Sequence, residues 1–389
     1  MPVRGHERLT VAVLFGGASQ EHDVSVVSAQ QLMDAADIRR IEVVPVYLDF
    51  ENRLLTGPSL RDVTTFRPRP PRSVEVQFGW GDDGPELRSA KSVRALDCIL
   101  PVLHGPFGED GRLQSLFELI GIPVAGFTAS ASALAMRKDA TKALVKSVGI
   151  NVLDHVTVNR AEAAAPDPLF DRAEARLGYP MVVKPANLGS SIGVGIAPDR
   201  ATLAALTEAV LRQDTLALIE PKVENLVEYN IAMRWRDAPG GGEIVFSAIE
   251  RPKSTTDLLD FKEKYLSSDG PAKGTFLPSE GMLSLTREIN PDLPVDLLNG
   301  IKDFARRAFV CLGHRGAPRI DFMSNAETGE LWFNEINPIP GSYGFFLWEA
   351  AAEPLLYPEL INHLVDEALG QSVKHFDDPV PQDAHLLPR

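Results

Sequence analysis

Side chains of metal-binding type lie close together near the C-terminal end of the chain, within residues 317–337. This stretch is typical of two strands joined by a polar turn. Because side chains alternate across a strand, Arg319 and Asp321 should share one face of the first strand. By the same alternation, Glu335 and Asn337 should share one face of the second. Such a set suits Mg²⁺ held by few protein oxygens together with substrate phosphates, and the alternative is a solvated hairpin with one ion pair.

A glycine-rich stretch, P-M-V-V-K-P-A-N-L-G-S-S-I-G-V-G-I at residues 180–196, has the composition of a phosphate-binding loop. Lys184 ends an apolar strand, and three glycines surround Ser190 and Ser191. Backbone N–H groups and hydroxyls in such a loop can close over phosphate oxygens as a lid. The stretch lacks the spacing of a P-loop and of a G-x-G-x-x-G fingerprint, so a simple glycine-rich turn is the alternative.

Five further charged residues are candidates for contact with a nucleotide or an amino acid. Lys138 and Lys264 can add positive charge for phosphates, although a single lysine is more often a solvated surface residue. Glu220 and Glu228 stand at strand ends, where each can accept a hydrogen bond from a ribose or an adenine. Glu21 falls in a first helical turn, where the helix dipole stabilises a carboxylate, and it can instead anchor a substrate ammonium group.

The elements that position these residues follow from hydrophobic periodicity. Residues 9–15 form an apolar run closed by a glycine pair, and residues 22–35 have helical spacing. Further apolar runs cover 43–49 and 96–103, and an amphipathic helix follows the second. This alternation predicts a parallel α/β sheet for roughly the first 125 residues.

The pattern changes near Thr128 to a helix that ends at Gly149. Strands around 180–184 and 192–196 bracket the glycine-rich stretch and predict a second domain that begins near Thr128. A third section contains the remaining strands and one long helix. These are strands over 228–235 and 243–249 and around Arg319 and Phe333, and a helix over 297–313.

The composition is that of a globular protein of two or three domains, with 389 residues of which 44% are hydrophobic and 24% charged. A net charge of -14 and a pI near 5.1 argue against a nucleic-acid or anionic-membrane partner. Cys98 and Cys311 lie in apolar runs, which favours buried thiols in a reducing cytoplasm over a disulfide. The N-terminal apolar run is too short to span a membrane and leads into a glycine pair rather than a cleavage site. The tract R-P-R-P-P-R at 67–72 is typical of a surface loop.

Taken in order, several motifs resemble the D-alanine–D-alanine ligase family of the ATP-grasp superfamily. The resemblance runs from about Val11 to Leu364, and the number of motifs in one order argues against chance agreement. The motifs are F-G-G-A-S-Q-E-H-D-V-S, L-H-G-P-F-G-E-D-G-R-L-Q, A-L-A-M-R-K, V-V-K-P-A-N-L-G-S-S-I-G-V, K-Y-L-S, R-I-D-F and N-E-I-N-P-I-P-G.

The resemblance implies an α/β protein of three-domain ATP-grasp architecture, in which a parallel α/β domain precedes two α+β domains. The divisions are an N-terminal substrate-binding domain over 1–128, a central lid domain over 129–222, a C-terminal catalytic domain over 223–375 and a loose tail over 376–389.

The activity that the resemblance implies is cytoplasmic peptidoglycan precursor synthesis by a homodimeric ligase. ATP phosphorylates the carboxylate of a first D-amino acid, and the amine of a second attacks the acyl phosphate. Two Mg²⁺ ions, replaceable by Mn²⁺, would bridge phosphate oxygens and offset charge. Closure of the lid would keep water from the acyl phosphate.

Individual roles follow at the positions that match the family motifs. The ATP contacts would be Lys138, Lys184, Ser191, Glu220, Glu228 and Lys264, and the metal ligands Asp321, Glu335 and Asn337. Glu21 would bind the first ammonium group, close to His104. Arg319 would steady the acyl phosphate. Ser190 and Tyr265 would form the hydrogen-bonded latch of the lid.

The loop after the metal ligands departs from the family pattern. Gly341 stays in register, but Phe346 falls where the family has a serine that binds the carboxylate of the acceptor. A hydrogen bond to a charged group contributes roughly 1.5–3 kcal/mol, so its loss would weaken acceptor binding on the order of tenfold or more. Arg319, Ser342 and the Gly341 N–H are candidates to compensate.

Three hypotheses remain at this stage. The first is a D-alanine–D-alanine ligase with a compensated acceptor site, and the second is a relative that joins a bulkier or less polar amine. The third is a binding protein that keeps the fold without catalysis. Arg137, which stands where the family has an acid, leaves the local charge pairing open. The complete set of nucleotide and metal residues argues against the third hypothesis.

Overall fold

The protein is described by a computed structural model over residues 8–66, 73–164, 167–189, 192–238, 241–253 and 287–370. Within these ranges the strands form three sheets, of seven, four and five strands. The tract at 67–72, the tail at 376–389 and four predicted site residues lie outside the described residues. Those four are Ser190, Ser191, Lys264 and Tyr265. The proposed division into domains stays a prediction.

The first sheet contains the predicted parallel strands and four more. Strand β1 pairs in parallel with β2 and β7, as predicted. The sheet as a whole is mixed rather than parallel, because β3 to β6 extend it in antiparallel fashion. The spatial order is β6-β5-β4-β3-β2-β1-β7. The strands are β1 (Leu9–Gly16), β2 (Ile41–Leu48), β3 (Leu54–Thr56), β4 (Val74–Gly81), β5 (Gly84–Ser89), β6 (Val93–Ala95) and β7 (Cys98–Pro101), and the helices are α1 (His22–Ala35) and α2 (Arg112–Leu119).

Strand β1 is apolar along its whole length because both of its faces are covered. Val11, Val13 and Phe15 pack in one hydrophobic cluster, and Ala12 and Leu14 pack in another on the opposite face. A continuous apolar run, rather than an alternating one, is what a strand buried on two faces requires.

The single helix predicted from Thr128 to Gly149 is wrong, because the structure divides it into α3 (Ala129–Met136) and α4 (Lys138–Ser147). Arg137 has an extended backbone, with φ -91° and ψ 98°. The Lys138 N–H donates to the Ala186 carbonyl at 3.0 Å instead of continuing the helix. A tertiary hydrogen bond therefore overrides the local helical pattern and begins α4 at Lys138.

The central sheet is antiparallel, in the order β10-β9-β11-β8. The predicted strands around 180–184 and 192–196 correspond to β9 and to the short β10. Asp199 begins α6, because its side chain accepts a hydrogen bond from the Thr202 N–H at 2.8 Å. The elements are β8 (Val156–Asn159), α5 (Asp167–Leu177), β9 (Met181–Pro185), β10 (Gly195–Ala197), α6 (Arg200–Gln213) and β11 (Leu216–Pro221).

The third sheet is also antiparallel, in the order β14-β13-β12-β15-β16. The long predicted helix is α7, which buries Ile301, Ala305, Ala308 and Phe309 against this sheet at helical spacing. The elements are β12 (Leu226–Ala238), β13 (Gly241–Pro252), β14 (Arg287–Ile289), α7 (Val295–Cys311), β15 (Arg319–Asn325), β16 (Leu331–Asn337), α8 (Phe345–Glu349) and α9 (Tyr357–Gly370).

The last two helices return to the first sheet. Trp348 of α8 and Leu360 of α9 are fully buried in the same cluster as Val13 of β1. The Tyr343 hydroxyl, just before α8, donates to the Pro101 carbonyl at the end of β7 at 2.6 Å. The chain after β16 is thus held against the C-terminal ends of the parallel strands.

Both cysteines are free thiols, with Cys98 buried and Cys311 partly buried. Burial raises the pKa of both thiols. Over the ranges given above, no helix is long and apolar enough to cross a membrane.

Two glycines provide a test of how tightly the loop at the start of α2 packs on α3. A Cβ on Gly111 would lie 2.3 Å from the Ala129 carbonyl oxygen, whereas one on Gly126 would meet nothing within 4 Å. Both residues have positive φ, 86° and 97°. We expect Gly126→Ala to lower the free energy of unfolding by about 1–2 kcal/mol from backbone strain alone. Gly111→Ala should cost about 1–3 kcal/mol more from the clash. Chemical denaturation measures both losses, and equal losses would contradict the packing described.

Candidate active site

The hairpin of β15 and β16 brings the predicted metal ligands together. Asp321 lies opposite Glu335, and Arg319 lies opposite Asn337. The Arg319 guanidinium holds Asp321 through two hydrogen bonds, of 2.6 and 2.7 Å. The Asn337 amide donates to the same carboxylate at 3.0 Å. Strand alternation therefore predicted the shared face correctly.

Two lysines from other elements reach this hairpin. The Lys138 ammonium, at the start of α4, lies 3.1 Å from the Glu335 carboxylate and also donates to the Leu188 carbonyl. The Lys184 ammonium, on β9, donates to the Asn334 amide oxygen at 2.9 Å. The two lysines thus flank the predicted metal ligands Asp321, Glu335 and Asn337 on the side of the central sheet.

A cleft lies between these groups and the first sheet. It is lined by Glu21, Glu109, Lys138, Gly189 and Glu335, among others. Glu21 is buried at the start of α1 rather than solvated, and it approaches Gly105 so closely that a Cβ there would lie 2.8 Å from its carboxylate. The lining of the cleft therefore combines the buried carboxyl groups of Glu21 and Glu109 with Lys138 and Glu335.

Glu109 is a cleft residue that the sequence interpretation did not single out. One of its carboxylate oxygens accepts from the Gly105 N–H at 2.8 Å, and the other accepts from the Ile339 N–H at 3.1 Å. Burial and the nearby charge of Glu21 raise the pKa of Glu109 to about 8. Its only sequence signal was its place in the motif L-H-G-P-F-G-E-D-G.

His104 connects the end of β7 to α1. Its Nε2 lies 3.3 Å from the Ser28 hydroxyl, which also accepts from the Ser342 N–H at 3.1 Å. Burial lowers the pKa of His104 to about 4, so the ring is neutral at neutral pH. Ser342 is buried, and its hydroxyl donates to the Gln31 side chain. In this arrangement both the N–H and the hydroxyl of Ser342 have partners on α1.

The loop that follows the metal-binding type residues has an unusual backbone. Ser342 and Tyr343 have φ values of 47° and 56°, and Gly344 continues the run at 61°. Non-glycine residues rarely adopt this left-handed conformation, so the surrounding hydrogen bonds must hold it.

Phe346 is set apart from the cleft. Its ring lies 4.8 Å below the Arg287 guanidinium and 6.1 Å from the Phe345 ring. Arg287 in turn pairs with Glu250 at 3.0 Å. Phe346 is not among the residues that line the cleft. Its predicted place in an acceptor pocket stays a prediction.

The predicted nucleotide residues Glu220 and Glu228 differ in environment. Glu220 is buried, and its two carboxylate oxygens lie 2.6 Å from the ammonium groups of Lys142 and Lys184. Lys142 was not predicted, because a lysine in an amphipathic helix is usually solvated. Glu228 is half-buried on β12, opposite Met323 of β15.

Arg137 is exposed and pairs with Asp139 at 2.7 Å.

The oxygen-rich set Asp321, Glu335 and Asn337 fits a hard divalent cation. Among the residues that the structure describes, no group of three or more His, Cys, Asp or Glu side chains is arranged to hold a metal. The protein would therefore supply few ligands and leave the remaining positions to phosphate oxygens and water, which is the usual arrangement for Mg²⁺.

The sequence and the fold of this chain are similar to those of known proteins. Family models described as "D-ala D-ala ligase N-terminus" and "D-ala D-ala ligase C-terminus" match residues 10–127 and 144–366. The D-alanine–D-alanine ligase of Thermosipho melanesiensis is 30% identical over 385 residues, which cover 97% of this chain and 98% of that protein. That of Heliobacterium modesticaldum is 33% identical over 375 residues, which cover 93% and 95%. Among solved structures, the VanG D-Ala:D-Ser ligase from Enterococcus faecalis has a TM-score of 0.74 at 25% identity, over 93% of this chain and 99% of that one.

The three sheets and the cleft between them have the architecture of an ATP-grasp ligase. The chain belongs to the D-alanine–D-alanine ligase family. Membership implies the use of ATP and a divalent metal ion.

The buried, neutral His104 should make the stability of the protein fall in mild acid, because the unfolded chain binds a proton at this residue more readily than the folded protein does. Its pKa falls from an ordinary value near 6.5 to about 4, so its contribution to stability is complete above pH 6.5 and is lost as pH falls toward 4. Between pH 7 and 4.5 this loss should be about 2 kcal/mol. Urea denaturation over this range should show a flatter decline for His104→Gln. The exposed His314, changed to Gln as a control, should leave the decline unchanged. Parallel curves for wild type and His104→Gln would refute the assignment.

Proposed function

We propose that this protein is an ATP-dependent carboxylate–amine ligase that joins two D-alanines for peptidoglycan precursor synthesis. The observation that carries the proposal is the contact of Lys138 with Glu335, beside Asp321, in a cleft that the buried Glu21 also lines. Phosphate-binding and metal-binding groups thus face a carboxylate suited to a substrate ammonium group. The names and the family of the relatives support the same activity.

In this proposal Lys138 and Lys184 bind the phosphates of ATP, and Asp321, Glu335 and Asn337 hold two Mg²⁺ ions, which Mn²⁺ can replace. The metals would neutralise charge on the phosphate oxygens during transfer. Glu228 contacts the ribose, and the end of β11 around Glu220 lies beside the adenine. Lys264 and Ser191 add contacts to the nucleotide.

The first D-alanine binds with its ammonium group at Glu21 and its carboxylate toward the phosphates. Phosphorylation gives an acyl phosphate and ADP. The amine of the second D-alanine then attacks the acyl carbon, and phosphate leaves from the tetrahedral intermediate. Arg319 stabilises the negative charge of that intermediate, and its two hydrogen bonds to Asp321 orient the guanidinium. Ser190 and Tyr265 close the lid over the acyl phosphate and exclude water.

A second candidate function is the same ligase reaction with a different amine as the acceptor. Phe346 offers no hydroxyl, and both polar groups of Ser342 already have partners on α1. The VanG relative is named a D-Ala:D-Ser ligase, so the acceptor varies among relatives of this chain. In this candidate the enzyme joins D-alanine to a larger or less polar amine.

We propose in addition a domain division, a cellular location and an oligomeric state. The domains would be 1–128, 129–222 and 223–375, the enzyme would act in the cytoplasm, and two copies would form a homodimer.

The first test is product formation by the purified protein. With ATP, Mg²⁺ and D-alanine it should release ADP, phosphate and D-alanyl-D-alanine in equal amounts, as measured by mass spectrometry and phosphate release. Glu335→Gln should lower turnover by about two orders of magnitude or more, because it removes a metal-binding charge. Its melting temperature should stay near that of wild type. Glu330→Gln, an exposed site on the same hairpin, is the matched control and should be fully active. Near-normal turnover of Glu335→Gln with an unchanged metal requirement would defeat the metal assignment.

The second test concerns the acceptor. If the pocket has been rebuilt around Phe346, Phe346→Ser should raise kcat/KM for D-alanine as acceptor by about tenfold and leave the KM for ATP nearly constant. Phe346→Leu, which is apolar and has no hydroxyl, should show no such gain. If wild type forms D-alanyl-D-alanine efficiently and Phe346→Ser changes nothing, the altered-acceptor candidate fails and Phe346 is a packing residue.

A further inference from the structure

Lys142, Glu220 and Lys184 form a buried row of charges between α4 and the central sheet. The Glu220 carboxylate lies between the two ammonium groups, with one oxygen 2.6 Å from Lys142 and the other 2.6 Å from Lys184. The exposed fractions are 0% for Lys142, 2% for Glu220 and 7% for Lys184. Solvent therefore does little to screen the charges of the two inner residues.

Glu220 and Lys142 are both charged at neutral pH. Burial by itself would raise the pKa of Glu220, but the two lysine charges outweigh it and lower that pKa to about 2. Burial lowers the pKa of Lys142 to about 8, and Glu220 acts in the opposite direction. The row thus consists of two cations and one anion, and it carries a net charge of +1.

Of the two lysines, Lys184 is the one that extends from the row to the hairpin. Its ammonium group donates to Asn334, the residue before Glu335 in β16. Lys142 has no exposed surface through which it could contact a ligand. Lys142 therefore acts on the cleft through its contact with Glu220 and through its charge, which also acts on Lys184 and Glu335.

The sign of that effect follows from counting charges. Without Lys142, Glu220 and Lys184 would form a neutral pair, and the carboxylate would draw the ammonium group toward itself. With Lys142 present, Glu220 is shared between two cations, and Lys184 keeps an uncompensated positive charge. Stability alone gives little reason for a buried row of charges, since apolar replacements of buried ion pairs are often neutral or stabilising.

We propose that Lys142 is a positioning residue for ATP binding, which holds Glu220 so that Lys184 presents a net positive charge to the phosphates. This inference rests on the proposed function, because it takes Lys184 as a phosphate contact. Lys142 itself touches no substrate.

The test compares equilibrium binding of Mg·ATP and of adenosine to the full-length protein by calorimetry. Lys142→Met removes the charge and keeps an apolar side chain of similar length. We expect its Kd for Mg·ATP to rise about tenfold, equivalent to about 1.4 kcal/mol, while its Kd for adenosine stays within about twofold. In turnover assays the KM for ATP should rise, and the KM for D-alanine should change little. Lys142→Arg keeps the charge and should restore most of the affinity for Mg·ATP.

A double substitution separates the charge from the packing. Glu220→Gln combined with Lys142→Met returns the row to a net charge of +1, so it should bind Mg·ATP more tightly than Lys142→Met alone. It also keeps the measurement possible if the single variant does not fold, since it leaves no buried carboxylate short of a cation. Lys146→Met, an exposed site one turn further along α4, is the matched control and should bind like wild type.

Unchanged Mg·ATP binding by Lys142→Met would overturn the inference. So would equal weakening of ATP and adenosine, or a double variant no better than the single one, because each result indicates a merely structural lysine. The proposed function fails separately, if wild type binds Mg·ATP but forms no dipeptide. If wild type binds no Mg·ATP, both the function and the inference fail.

Discussion

A carboxylate that is buried and ionised must have cations or N–H donors beside it, because the loss of its hydration costs several kcal/mol. This constraint organises the cleft. Glu220 lies between Lys142 and Lys184, Glu335 lies against Lys138, and Asp321 is held by Arg319. Most of these partners come from different elements. The charges can be buried only if the central sheet, α4 and the β15–β16 hairpin meet, so charge compensation and tertiary assembly depend on each other.

Hydrogen bonds also join the first sheet to the third. Glu109 receives N–H groups from Gly105, which follows β7, and from Ile339, which follows β16. The Tyr343 hydroxyl bonds to the Pro101 carbonyl, and the Ser342 N–H bonds to Ser28 of α1. These bonds hold the loop after β16 in its left-handed conformation. Glu109 and the loop after β16 are therefore held in place by hydrogen bonds with the N-terminal part of the chain.

The two ends of the site differ in how closely they follow the family pattern. Several of the groups expected at ATP and metal lie together in this structure, with Lys138, Lys184, Asp321 and Glu335 as the clearest cases. Phe346, which is predicted at the acceptor, packs under Arg287, is not among the residues that line the cleft and offers no hydrogen-bonding group. A change of acceptor would leave the nucleotide chemistry intact, since the acceptor amine enters only after the acyl phosphate has formed. Variation among relatives in the second amino acid is consistent with this separation.

Local patterns in the sequence determined much of this protein. The apolar run of β1, the helical spacing of α1 and α7 and the alternation that placed Asp321 opposite Glu335 were all visible, because each depends on neighbours within one element or one hairpin. Family motifs added the outlying site residues, several of which lie outside the described ranges.

Only the tertiary structure decided the rest. The break at Arg137 depends on a hydrogen bond from Lys138 to Ala186, some fifty residues away. Strands β3 to β6 extend the first sheet beyond β2 through antiparallel pairings that the sequence interpretation did not predict. Lys142 has the appearance of an ordinary helical lysine in sequence, yet it is fully buried because Glu220 compensates its charge. Periodicity indicates which way a side chain points, whereas the partner that permits a charge to be buried comes from a distant segment and is known only once the chain has folded.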